Sequence, residues 1–252
     1  MLLELKTSVV YGPVASRRLG RSLGINVLPP GQKVCSFNCA YCQYGWTDPR
    51  SLTAGPSSGF PIAAEVRRCL EAALQALPSP PAYVTFSGHG EATLHPRFGE
   101  LVDVVTEVRD RQSPSSRTAI LSNSSTVRDP DVRASLGRLD VRIMKLDAGR
   151  EATFRRFNGP LEELTLADIV EGLRLLPDVT IQTLFAAGRD GNADEAKVAA
   201  WLERLAEINP SFVQIYTLAR SAPSDHLAPV GRGELLHIRD RVRAAGILAE
   251  VF

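Results

Sequence analysis

Apolar, β-branched runs alternate along the chain with segments of helical period. Six runs read as strands: 23–28 (LGINVL), 82–87 (AYVTFS), 118–122 (TAILS), 141–146 (VRIMKL), 179–185 (VTIQTLF) and 212–218 (FVQIYTL). Helical spacing predicts helices near 61–77, 97–111, 129–138, 162–176, 193–208 and 233–245. The fifth is the clearest, with Val198, Trp201, Leu202, Leu205 and Ile208 on one face. Asn192 and the acids after it mark its start, and Asn209-Pro210 stops it. Strands that alternate with helices predict an α/β fold of βα units with a mostly parallel sheet, in one domain spanning 1–252. One stretch, 43–60, is rich in Gly, Pro, Ser and Thr and reads as a flexible loop, either a lid or a surface connection.

Composition narrows the class. The chain has 252 residues, 44% hydrophobic and 23% charged, enough to bury a core without disulfide or metal staples. Its formal charge of +1 gives no reason to expect wholesale binding to nucleic acid or membrane. No apolar run approaches the roughly 18 residues of a membrane span, and the start, MLLELKTSVV, lacks the order of a secretion signal. These features predict a cytoplasmic protein with no membrane partner. Charge is nonetheless uneven. Lys6, Arg17, Arg18, Arg21, Lys33 and Arg50 face only Glu4 and Asp48 within the first 60 residues. Such a cluster suits a phosphate, carboxylate or nucleic-acid contact, and equally a solvated surface.

The chemistry concentrates in Cys35-Ser-Phe-Asn-Cys39-Ala-Tyr-Cys42, a CxxxCxxC motif that follows the first predicted strand. Three thiolates on a short loop can hold three irons of a cubane cluster and leave the fourth iron open to a small molecule. Zinc competes, but it needs a fourth ligand, which would be His89 or His95 from a distant segment.

In this context the motif resembles the radical S-adenosylmethionine (SAM) superfamily. The run YGPVASRRLGRSLGIN at 11–26 resembles the leader of one subgroup, the iron–sulfur oxidoreductases related to the wyosine-forming tRNA enzyme. SGHGEATLHP at 87–96, KLDAG at 145–149 and QIYTLAR at 214–220 extend the likeness. The resemblance implies a partial (β/α)6 TIM-like barrel, with Cys35, Cys39 and Cys42 holding a [4Fe–4S] cluster that binds SAM. It implies a reduced cluster that cleaves SAM to a 5′-deoxyadenosyl radical, and a radical that takes hydrogen from the substrate, shielded from water by the barrel.

The resemblance also implies site roles. Gly90 and Glu91 match the GGE-type motif that holds the SAM amine, with Ala92 where proline is common. Ser122 and Asn123 end the third predicted strand, where similar proteins contact SAM. Lys145 and Asp147 end the fourth, as part of a polar site or as an internal ion pair. Gln182 points to ligand or substrate, Tyr216 to Leu218 would offer backbone groups to adenine, and Tyr41 would wall the cluster. Cys69, in the first predicted helix, reads as a small hydrophobe, with a hydrogen-atom donor as its functional alternative.

Wyosine-forming enzymes depend on a second cluster, and Cys69 alone cannot ligate one. A single-cluster enzyme acting on a small polar substrate, a sugar or nucleotide derivative, is therefore expected, by epimerisation of a sugar or a related rearrangement in specialised metabolism. It would draw electrons from an external carrier such as flavodoxin or ferredoxin. The rivals are a tRNA-modifying enzyme that sets Arg17, Arg18 and Arg21 on phosphates, a non-catalytic electron carrier or metal sensor, and an enzyme that installs a glycyl radical on a partner protein.

Overall fold

The computed structural model describes residues 2–47 and 59–252. One mixed sheet carries the fold. Strand β1 (Val10–Ser16) pairs antiparallel with β2 (Gly20–Ile25). From β2 the sheet runs in parallel through β3 (Tyr83–Phe86), β4 (Arg117–Ser122), β5 (Val141–Lys145), β6 (Thr180–Ala187) and β7 (Phe212–Thr217). A short β9 (Ala249–Val251) extends it beyond β7, and the two-residue β8 (Ala228–Pro229) pairs antiparallel with the end of β6. The edge strands β1 and β9 do not pair with each other, so the sheet is an open partial barrel.

Among the described residues seven α-helices connect the strands: α1 (Ala63–Gln75), α2 (Phe98–Gln112), α3 (Pro130–Leu136), α4 (Glu151–Asn158), α5 (Leu166–Arg174), α6 (Glu195–Ile208) and α7 (Arg232–Ala244). Their apolar stripes supply the main core. Val66 and Leu70 of α1, Leu101 and Val105 of α2, and Trp201 and Leu205 of α6 are all buried. Burial of such large side chains contributes about 1.5–3 kcal/mol each before entropy is counted. The six parallel strands β2–β7 are the six units that the hydrophobic pattern predicts.

The structure corrects several boundaries. Strand β2 begins at Gly20 and ends at Ile25, so Val27 and Leu28 are buried loop residues rather than strand. The hairpin partner β1 escapes the pattern because Gly12 and Pro13 interrupt it; proline is tolerated there because β1 is an edge. Its Tyr11 lies over Gly24, where a Cβ would fall 2.2 Å from the ring, so only glycine leaves the space. Helix α4, with eight residues, gives barely two turns of period and escapes the pattern. Helix α6 is capped by Asp194, which accepts from Lys197 N, while the expected cap Asn192 is buried and bonds Ala186, Asp147 and Leu184 backbone instead. Of the loop expected at 43–60, residues 48–58 lie outside the described residues.

Candidate functional site

A cavity of about 560 Å³ opens at the carboxyl ends of the parallel strands, where βα folds gather their ligands. The cysteine loop after β2 forms one wall, and it is fastened to the end of α4. Asn38 N donates to the carbonyls of Asn158 and Gly159, Ala40 N to Phe157, and Leu161 N to Ser36. Phe37 packs edge-on against Phe154, and Tyr41 against Phe157. Thr47 closes the loop on itself through Asn38 Oδ1 and the Phe37 carbonyl.

Cys35, Cys39 and Cys42 all line the cavity, and each sulfur meets a side-chain N–H donor. Asn123 Nδ2 stands 3.6 Å from Cys35 Sγ, and Asn158 Nδ2 3.7 Å from Cys39 Sγ. Lys33 Nζ lies 3.3 Å from Cys42 Sγ while donating to the Gly45 carbonyl. Burial pushes the Cys35 thiol well up, and with the neighbouring Cys42 and Asp147 charges it lifts Cys39 to about 11. Without metal Cys35 and Cys39 are therefore thiols; metal binding draws off their protons.

This donor set fits an iron–sulfur cluster and not zinc. Both rings of the expected fourth ligands are occupied. His89 Nδ1 accepts from Lys6 N and its Nε2–H points to the Pro29 carbonyl; His95 is held alike by Arg97 N and Pro61. Burial lowers both histidine pKa values, so the rings are neutral. Among the described residues no three His, Cys, Asp or Glu converge on a single-ion site, whereas three sulfurs spread along a cavity wall suit a multi-iron body.

Behind the cysteines stands Glu91. A Cβ on Gly90 would sit 1.9 Å from the Val34 carbonyl, and Glu91 N donates to that same carbonyl, so glycine lets this turn press on the cysteine loop. The Glu91 carboxylate accepts from Thr93 N, Thr93 Oγ1 and Ser122 Oγ on one oxygen and from Asn123 N on the other. Burial raises its pKa against those four bonds. One lone pair of Oε2 is left for a further donor. Ser122 is spent on Glu91 and Ser124 N, and Asn123 brackets β4 to Ser36 and Cys35.

The opposite wall is polar and cationic. Lys145 and Gln182 are in direct register on β5 and β6. Lys145 Nζ donates to Tyr216 Oη at 2.7 Å and lies 3.7 Å from Asp147 Oδ1. Burial disfavours its charge, but Asp147 and Tyr216 outweigh burial and hold the ammonium above the ordinary lysine range. Asp147 itself does not line the cavity. Its side chain is fully buried behind the wall, accepting from Leu184 N, Asn158 Nδ2 and the Tyr41 hydroxyl. It is the internal partner of an ion pair.

The cavity thus gathers Tyr41, Gly90, Glu91, Ser122, Asn123, Lys145, Gln182, Tyr216 and Leu218 with the three cysteines. Cys69 is not among them: it packs on α1 against the main core, outside the cavity. Sequence reasoning missed Asn158, which ends the unpredicted α4 and carries no motif. It also missed Lys33 as the partner of Cys42, and Arg18 as a residue of the cavity interior.

The Radical SAM superfamily matches residues 30–202. A UPF0026 protein of Helicobacter pylori is 31% identical over 238 residues, covering 90% of this chain and 71% of its own. A GTPase Obg of Brachyspira hyodysenteriae is 30% identical over 226 residues; the match takes 88% of this chain, which spans only 32% of that protein. Among solved structures, a radical SAM methyltransferase from Sphaerobacter thermophilus superposes with a TM-score of 0.67 at 13% identity, over 92% of this chain and 65% of that one. TYW1 with a lysine-pyruvate adduct superposes at 0.62 and 18% identity, over 89% and 73%. At these identities the solved structures share the fold alone. No described helix is long and apolar enough to cross a membrane.

Proposed function

The chain belongs to the radical SAM superfamily, among its UPF0026 proteins, and from that premise we propose that Cys35, Cys39 and Cys42 are its cluster ligands and the cavity at the strand ends its active site. In this superfamily a [4Fe–4S] cluster and SAM together supply a 5′-deoxyadenosyl radical that removes a hydrogen atom from substrate. The observation that carries the assignment is the set of three cavity-lining sulfurs, each facing its own N–H donor.

The remaining residues position and shield. Glu91, with one lone pair free and the rest of its carboxylate tied to β4, receives the SAM amine. Asn123 and Ser122 keep that carboxylate in place. Tyr41, locked by Asp147 and Asn158, walls the cysteine loop, and the backbone of Tyr216–Leu218 faces the adenine. The apolar Leu121 and Leu184 exclude water from the space between.

The substrate is small and polar. Sugar epimerisation would need a hydrogen donor on the second face of the substrate. Cys69 lies away from the cavity, and no other cysteine is left after the ligands are assigned. Hydrogen abstraction followed by a redox-neutral rearrangement fits a cavity without such a thiol, in one cytoplasmic domain, with an external one-electron reductant such as flavodoxin or ferredoxin. Reading Arg17, Arg18 and Arg21 as one tRNA-binding face loses support, because Arg21 turns away to Ser79 while Arg17 and Arg18 line the cavity.

Anaerobically reconstituted protein should form 5′-deoxyadenosine from SAM only with reductant, and Cys39→Ala should abolish both iron content and product. Adding bulk tRNA or pools of small polar metabolites in parallel tells the substrate class from the stimulation. A full cluster with no 5′-deoxyadenosine under any condition would overturn the enzyme in favour of an electron carrier.

A further inference from the structure

Arg18 comes from the turn between β1 and β2, which precedes the segment matched by the superfamily. That turn lies at the amino end of β2, opposite the cysteine loop, yet the guanidinium reaches across to the interior of the sheet. Its Nη1 donates to Gln182 Oε1 at 2.7 Å, and its Cζ stands 4.6 Å from the Tyr216 ring centroid. The backbone holds it there: Arg18 N and Leu19 N both donate to Ser16 Oγ, and Leu19 is buried. Interior layers of such barrels are usually filled by branched apolar side chains. Here the layer is Lys145, Gln182 and the inserted Arg18.

Charge makes this arrangement incomplete. Arg17, Arg18, Lys33, Lys145 and Arg220 line the cavity, and Glu91 is its only acidic side chain among the described residues. Lys145 is paired with Asp147, and Lys33 is taken up by Cys42 Sγ and the Gly45 carbonyl. Arg18 has no carboxylate within salt-bridge distance among the described residues. SAM does not balance it either, since SAM brings a sulfonium and an ammonium against a single carboxylate. Arg18 and Lys145 meanwhile share one phenol ring, Tyr216. Like charges gathered in a half-buried cavity repel unless an anion is placed among them.

We propose that Arg18 is the anchor for an anionic group of the substrate, a carboxylate or phosphate, at the end of the cavity away from the cysteines. This deepens the radical SAM reading and rests on it. The planar guanidinium presents its unused N–H groups to such a group in a fixed fork, pre-set by Gln182 and Tyr216. Gln182 is thereby a positioning residue for Arg18.

Calorimetric titration of the cluster-loaded protein with inorganic phosphate and, separately, with malonate tests this and tells the two anion chemistries apart. One-to-one binding of at least one anion is expected, weakened at least tenfold by Arg18→Gln, partly restored by Arg18→Lys and unchanged by Arg21→Gln. SAM affinity should be the same in wild type and Arg18→Gln. Gln182→Leu, which frees the guanidinium without removing it, should weaken the anion too, and decides the matter if Arg18→Gln does not fold. Failure of both anions to bind, or equal binding by Arg18→Gln, overturns the proposal. So does an equal loss of SAM affinity, which would give Arg18 to the SAM carboxylate. Anion binding without SAM cleavage would keep this site and sink the radical reading; SAM cleavage without anion binding would do the reverse.

Discussion

The three cysteines do not share one electrostatic environment. Cys35 and Cys39 face neutral amides, but Cys42 faces the Lys33 ammonium. A cation beside a thiolate stabilises the more negative, reduced cluster, and hydrogen bonds to sulfur tune cluster potentials. Lys33→Met should therefore shift the couple to more negative potential, read by a redox titration followed by electron paramagnetic resonance, with iron content unchanged. In metal-free protein the elevated Cys39 value has its own consequence. Its alkylation by iodoacetamide should accelerate about tenfold per pH unit between pH 8 and 10, because the thiolate fraction rises in that proportion below a pKa of about 11. Peptide mass spectrometry would show it. A flat profile would contradict the burial of that sulfur.

At the scale of elements, α4 matters beyond its eight residues, since it is the strip to which the cysteine loop is fastened. Phe157 is fully buried against Tyr41, so Phe157→Ala should cost about 3–5 kcal/mol in denaturant unfolding and lower iron occupancy as well. At the other end of the barrel, Asp140 joins α2 to β4. Burial opposes its ionisation, but Arg109 and the Thr118 N–H and hydroxyl outweigh burial and hold it below the ordinary carboxylate range. A depressed pKa contributes stability that is present above the unfolded value and lost as pH falls through the folded one. The melting temperature should therefore decline below about pH 4, and Asp140→Asn should flatten that decline.

Legibility followed the same division. The six parallel strands were readable because each carries a short, largely buried stretch rich in apolar and β-branched residues, and the cysteine motif because its spacing is local. Helix α4 was not, since eight residues give barely two turns of period. Asp147 was placed at a strand end with its charge visible, but its sequestration depends on Tyr41 and Asn158, which lie 106 and 11 residues away. Arg18 showed only as part of a basic cluster. No sequence period records that a turn at one end of a barrel reaches Gln182, 164 residues on.

Taken as a whole, the molecule divides its labour between a shared segment and its flanks. Residues 30–202 hold the cysteines, Glu91, Asn123, Lys145 and Gln182, while Arg17, Arg18, Tyr216 and Arg220 come from outside that segment. The sheet that joins them stays open, and an open sheet has two rows of unpaired backbone groups on which another chain could add itself. Both are blunted. Strand β1 carries Gly12-Pro13 and a register irregularity between Tyr11 and Val14, so it cannot offer a continuous ladder. Strand β9 is three residues long, with Glu250 tied back to Arg243. Pro13→Val should restore adhesiveness to the first edge and appear as self-association in light scattering. Proline at that position thus works as a guard against aggregation, letting the barrel remain open without becoming sticky.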